Sequence, residues 1–184
     1  MYISVDVEAS GCIPVEYSLL SIGACVIDNP KNSFYIELKP INDNFTASAI
    51  KVTGDLWKKC KIEGYEPKEA MKRFNNWLES LNDRVVALGF NYPFDHQFLN
   101  YYFVKFLGYS PLGINGLDLK AYAMGMFDIH WYETTKKRLK HKYPFLKTKH
   151  AHTHNALDDA IEQAELANIL FKFNKKLRRE IING

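Results

Sequence analysis

The chain has 184 residues, 47% of them hydrophobic and 24% charged, with a formal net charge of +3. That length is enough for one domain with a sizeable core, and the composition excludes a disordered, collagenous or disulfide-rich secreted chain. A charge this small does not by itself argue for nucleic acid, and the longest apolar run, LLSIGACVI at 19–27, is too short to cross a membrane.

Residues 2–8, YISVDVE, alternate strictly and predict a first strand, with Ile3, Val5 and Val7 on one face and Ser4, Asp6 and Glu8 on the other. LLSIGACVI and SFYIEL (33–38) predict two more strands, joined by a hairpin turn at DNPKN (28–32). PKEAMKRFNNWLESL (67–81) predicts an amphipathic helix: Pro67 opens it, and Ala70, Met71, Phe74, Trp77, Leu78 and Leu81 form one stripe. RVVALGF (84–90) predicts a buried strand, followed by an aromatic helix from Pro93 to Leu107 that Gly108 closes. A short strand at 114–117 leads into a helix after Asp118, and a last helix spans 156–177. This succession predicts an α/β fold, a mixed sheet with helices packed on it, in a single domain over 1–184.

Between Thr134 and Leu157 there is no acidic residue, while Lys136, Lys137, Arg138, Lys140, Lys142, Lys147 and Lys149 crowd one stretch. It is expected as a basic loop, which can be merely solvated or can hold a polyanion beside the histidines that follow. Cys12, Cys25 and Cys60 fit neither a disulfide framework nor a CxxC zinc site, and no basic-then-apolar leader opens the chain. A reduced, cytoplasmic protein is the expectation.

Three acidic sites stand out. Asp6 and Glu8, two apart on a strand, point the same way about 7 Å apart, and like charges so placed call for a positive partner unless they face solvent. Asp95 falls in the first turn of a helix that leaves a buried strand. It serves there either as a helix-dipole partner or as a functional group at a strand's C-terminal end. In HAHTHNALDDA (150–160), Asn155 is the expected N-cap of the last helix. Asp158 aligns with Glu162 and Glu165 on the polar side, whereas Asp159 aligns with Gln163, Leu166 and Leu170 at the margin of the apolar face. Asp159 is therefore the acid turned toward the body of the protein. HAHTH lacks a fourth zinc ligand at suitable spacing. His154, closest to the helix start, can share a site with its first turn, and His150 and His152 are expected on the basic loop.

In this order, SVDVEAS, FNYPFD and HNALDDA resemble the DEDDh 3′-5′ exonucleases, the family of polymerase proofreading subunits, ribonuclease T and oligoribonucleases. The resemblance covers most of the chain and maps onto Asp6, Glu8, Asp95, His154 and Asp159, selecting Asp159 over Asp158 as the helical wheel does. It departs at VTG (52–54), where many relatives show His-Gly-Ile, and within the basic segment. It implies a ribonuclease H-like fold with a five-stranded mixed sheet flanked by helices. It also implies two divalent cations, Mg²⁺ or Mn²⁺, with Asp6 shared between them, Glu8 and Asp159 completing one and Asp95 supporting the other. His154 would be the general base, and the substrate the 3′ end of single-stranded RNA or DNA, released as nucleoside 5′-monophosphates. Relatives of this size often form homodimers, and none of these features involves a membrane. The rival reading is a catalytically silent nucleic-acid-binding module on the same fold, which leaves five competent residues without a task.

Overall fold

The structure, a computed structural model, describes residues 1–150 and 153–183. β1 (Tyr2–Ala9), β2 (Leu19–Val26), β3 (Asn29–Glu37), β4 (Val86–Gly89) and β5 (Leu117–Asp118) form a five-stranded sheet in the order β3-β2-β1-β4-β5. β1, β2 and β3 run antiparallel in succession, and β4 and β5 add in parallel on the other side of β1. Around the sheet lie α1 (Ala47–Thr53), α2 (Leu56–Glu63), α3 (Pro67–Ser80), α4 (Tyr92–Leu107), α5 (Leu119–Phe127), α6 (Lys136–Lys142) and α7 (Ala156–Asn183). The mixed, helix-flanked sheet is the ribonuclease H-like arrangement that the resemblance implies. No helix among the described residues is long and apolar enough to cross a membrane.

The alternation of β1 divides the core. Ile3, Val5 and Val7 pack with Phe74 of α3 and with Phe98, Tyr102 and Phe103 of α4. Phe74 is fully buried, and a ring so placed contributes about 3–5 kcal/mol against alanine. Ser4, Asp6 and Glu8 face the other way, toward α7. There Ala160, Ala164 and Ala167, all fully buried, let that helix lie close to the sheet. The approach is tight at Gly23, opposite Asp6 on β2, where a Cβ would stand 2.1 Å from the carbonyl carbon of Ala156. Only glycine permits it, and it sets the N-terminus of α7 directly over the β1 acids.

Some predicted elements shift. β3 starts at Asn29, so the β2–β3 turn is only Ile27–Asp28; Pro30 is tolerated because β3 is an edge strand. β5 is Leu117–Asp118 rather than 114–117. Asp118 there also caps α5 by accepting from the Ala121 N–H. The basic loop contains a helix, α6. Leu139 anchors it in the core, and Thr135 caps it by accepting from the Arg138 N–H. Neither this short helix nor α1 and α2 has the length to show a helical period in sequence. His152 lies outside the described residues.

Candidate active site

The acids gather where β1 runs past its partner. β4 ends at Gly89 and pairs only with the first half of β1, Tyr2 to Ser4. Beyond that point the Val7 N–H donates to Asp95 Oδ1 at 2.9 Å, so a residue of α4 closes the gap in the sheet. Asn91 makes this possible: at φ 72° it takes the left-handed conformation that asparagine tolerates, and the chain turns from β4 straight into α4. The site therefore lies at the C-terminal ends of β1 and β4, beside the point where parallel pairing changes to antiparallel, where open α/β sheets place their ligands.

α7 supplies the other side. Asn155 caps it as expected, accepting from the Leu157 and Asp158 N–H groups. Asp158 is exposed, and Asp159 is fully buried. The Asp159 carboxylate accepts from the Thr153 N–H at 2.8 Å and the His154 N–H at 3.1 Å. These bonds fold the preceding loop onto the helix start and hold His154 at φ 60°, in the left-handed region. The five-residue spacing between His154 and Asp159 thus has a local cause: the aspartate of the first turn clamps the backbone that carries the histidine. Glu8, His154 and Asp159 each present a ligand atom, all within 4.8 Å of one another.

Gln163, one turn beyond Asp159, did not stand out in the sequence as a site residue. Its Nε2 donates to Asp6 Oδ1 at 2.6 Å, and its Oε1 accepts from the Phe90 N–H at 2.7 Å. It fixes Asp6 between α7 and the end of β4. Its place in line with Asp159 on the helical wheel was the available signal. Glu162 differs from expectation: placed on the polar side by the wheel, it is fully buried, because Lys136 and Lys140 of α6 fold over it. His150 sits in the basic segment as expected and pairs with Glu165 at 2.9 Å.

Burial and, after it, charge crowding set the electrostatics. Burial, then the neighbouring Asp159, raises Asp6 from its ordinary 3.8 to about 7, while Lys136 and the Gln163 hydrogen bond pull the other way. Burial, then Asp6 and Asp159, raises Glu8 to about 8. Asp95 also lies well above the usual carboxylate range, through burial and then Asp6. Among the described residues, none donates a hydrogen bond to Glu8. Carboxylate oxygens with one imidazole suit a hard divalent cation, and the repulsion among them is what such a cation removes. The residues present fit the group.

A pH signature follows. The folded, metal-free protein holds protons on Asp6 and Glu8 that the unfolded chain releases near 4, so the stability these two groups contribute is fully present below that pH and is lost as pH rises through about 7 and 8. A divalent cation must displace those protons, so its stabilising effect grows over the same interval. Melting curves from pH 5 to 9 with EDTA or Mn²⁺ are expected to diverge as pH rises; a constant separation would contradict the assignment.

The exonuclease family model RNase_T matches residues 3–167. The sequence is similar to the 3′-5′ DNA exonuclease Cap18 of Escherichia coli, with 40% identity over 179 residues, 96% of this chain and 94% of that protein. The fold is similar to the nuclease domain of 3′hExo, a DEDDh family member solved bound to rAMP, with TM-score 0.74 and 14% identity over 93% of this chain and 91% of that one. It is also similar to E. coli exonuclease I solved with a dT13 oligonucleotide, with TM-score 0.74 and 17% identity over 98% of this chain and 43% of that one.

Proposed function

The chain belongs to the RNase_T exonuclease family and is a 3′-5′ exonuclease of the DEDDh type, and from that premise we propose that it removes nucleoside 5′-monophosphates from the 3′ end of single-stranded DNA. The observation that carries the reading is the convergence of Asp6, Glu8, Asp95, His154 and Asp159 at the C-terminal ends of β1 and β4. The choice of DNA rests on the relative that is 40% identical and named for that substrate. Residues 1–184 act as one exonuclease domain. Cytoplasmic residence is supported by the three free cysteines.

Members of this family need divalent metals. Two such ions, Mg²⁺ or Mn²⁺, held by Asp6, Glu8, Asp95 and Asp159, would supply Lewis-acid charge to the attacking and leaving oxygens of the displacement. Gln163 orients Asp6, and the Val7 N–H orients Asp95. His154, exposed beside Glu8 and Asp159, takes the proton from the attacking water; imidazole is the side chain whose ordinary titration spans neutral pH. The terminal nucleoside occupies a recess of about 290 Å³ on the other side of Glu8, lined by Ala9, Cys12, Thr46, Ala49 and Phe94 among others. Phe94 offers a ring face to a base there.

The test is a gel time course with 5′-labelled single-stranded DNA and RNA of one sequence, with Mn²⁺, Mg²⁺ or EDTA. A metal-dependent ladder shortening from the 3′ end, faster on DNA, is the expected result. Intact strands under every condition would favour the silent binding module, and internal cuts in a circular strand would mean an endonuclease.

A further inference from the structure

The basic segment separates into two sets of side chains. Lys136 and Lys140 turn inward and both pair with buried Glu162 of α7, on either side of the core residue Leu139. Lys137, Arg138, His141 and Lys142 turn outward and, with Glu133 and Thr135, line an open recess of about 840 Å³. Their spacings of three and four residues put them on one helical face. Glu133 offsets only Lys142, at 2.8 Å, so the face keeps an excess of positive charge. Arg138 also donates to the Tyr132 carbonyl, tying the face to the short 3-10 turn Trp131–Glu133.

That turn exposes two rings, Trp131 at 44% and Tyr132 at 80%, and Lys120 Nζ lies 4.2 Å over the Trp131 ring. The helix that carries this face begins beside the proposed catalytic centre. Lys136, which opens α6, lies 5.4 Å over the Phe90 ring, its charge is felt at Asp6, and the Phe90 N–H is held by the glutamine that orients Asp6. Cations in a row beside exposed rings are the elements with which single-stranded nucleic acid is held without reading sequence.

We propose that the outward face of α6, with Trp131 and Tyr132, carries the strand upstream of the scissile bond, cations against its phosphates and rings against its bases. The inference rests on the exonuclease reading and deepens it by locating the non-terminal nucleotides. α6 rises about 10 Å over its seven residues, long enough to lie beside more than one phosphate of a strand. Lys136 and Lys140 belong to the scaffold, and only the outward set touches the substrate.

The test uses K137A/R138A and, with the Arg138 bond to Tyr132 intact, K137E. Binding of a 5′-labelled twenty-nucleotide dT strand is measured in EDTA at several salt concentrations, and turnover of a dT dinucleotide in Mn²⁺. For K137A/R138A the strand should bind about tenfold more weakly, and the slope of log K against log salt should shrink by about 1.4, at about 0.7 per lost phosphate contact. K137E should weaken binding in the same direction, and dinucleotide turnover should stay at the wild-type value in both variants. Wild-type affinity and slope in both variants, while the wild-type enzyme still shortens the strand, would overturn the proposal and leave the exonuclease reading standing. Equal losses on dinucleotide and long strand would also overturn it, because the face would then belong to the terminal pocket. A wild-type protein that neither binds nor shortens the strand would overturn the exonuclease reading, and this one with it.

Discussion

Asp6→Asn abolishes turnover, by about 10³-fold or more, and at the same time makes the metal-free protein more stable at pH 8. Both effects come from the same crowding. Asp6 is raised to about 7 by burial and by Asp159, and it raises Glu8 and Asp95 in turn. Replacing its carboxylate by an amide of the same shape removes one of these charges, so the folded apo-protein loses a repulsion that grows with pH. With Asp6 a metal ligand, as proposed, the substitution also removes a ligand that the other acids do not replace, and a metal-assisted displacement then loses much of its charge stabilisation. Gln163 keeps both of its bonds, because the asparagine Oδ1 still accepts from its Nε2 while its Oε1 accepts from the Phe90 N–H. Melting temperature in EDTA, Mn²⁺ titration and single-turnover rates measure the three consequences. A fall in metal-free stability would mean that Asp6 is held by favourable partners, and undiminished turnover would remove it from the metal site.

The divergence between stability and activity separates this site from a merely solvated acidic face. Exposed carboxylates keep their ordinary titration, and their removal changes stability little in either direction. Here the protein keeps Asp6, Glu8, Asp95 and Asp159 together against their repulsion. The clamps that do so are specific: Gln163 on Asp6, the Val7 N–H on Asp95, and two backbone N–H groups on Asp159. A cation converts the repulsion into affinity, which ties metal loading to pH.

How much of this was legible in the sequence depended on whether a residue's surroundings are local. The alternation of YISVDVE placed Asp6 and Glu8 on one face because strand periodicity needs no tertiary information. The helical wheel chose Asp159 over Asp158, and the structure buries the first and exposes the second. The same wheel misjudged Glu162. A polar position on an isolated helix becomes interior once α6 lays two lysines over it, and a seven-residue helix carries too little periodicity to announce itself. Gln163 was legible as inward-facing but not as a clamp, since its second partner is a backbone N–H 73 residues away. The bond from Val7 to Asp95 depends in the same way on where β4 stops. Pattern reveals direction; long-range partners come only with the fold.

His154→Asn lowers kcat by about 10²–10⁴-fold, the usual contribution of a general base, and leaves Mn²⁺ affinity within a few-fold. Asparagine is chosen for the backbone. His154 sits at φ 60°, which alanine adopts at a cost and asparagine accepts, so the bonds from the Thr153 and His154 N–H groups to Asp159 survive the change. A loss of rate in this variant is then the loss of the imidazole rather than of the loop. The dependence on Mn²⁺ concentration separates it further from the carboxylates. At low Mn²⁺ the rate of both proteins rises with pH, because the cation competes with protons on Asp6 and Glu8. At saturating Mn²⁺ that competition is removed, and a low kcat that persists in His154→Asn is then the loss of the imidazole rather than of the metal. A variant with wild-type kcat at saturating Mn²⁺ would assign the base to another group and leave His154 a part of the loop that Asp159 holds.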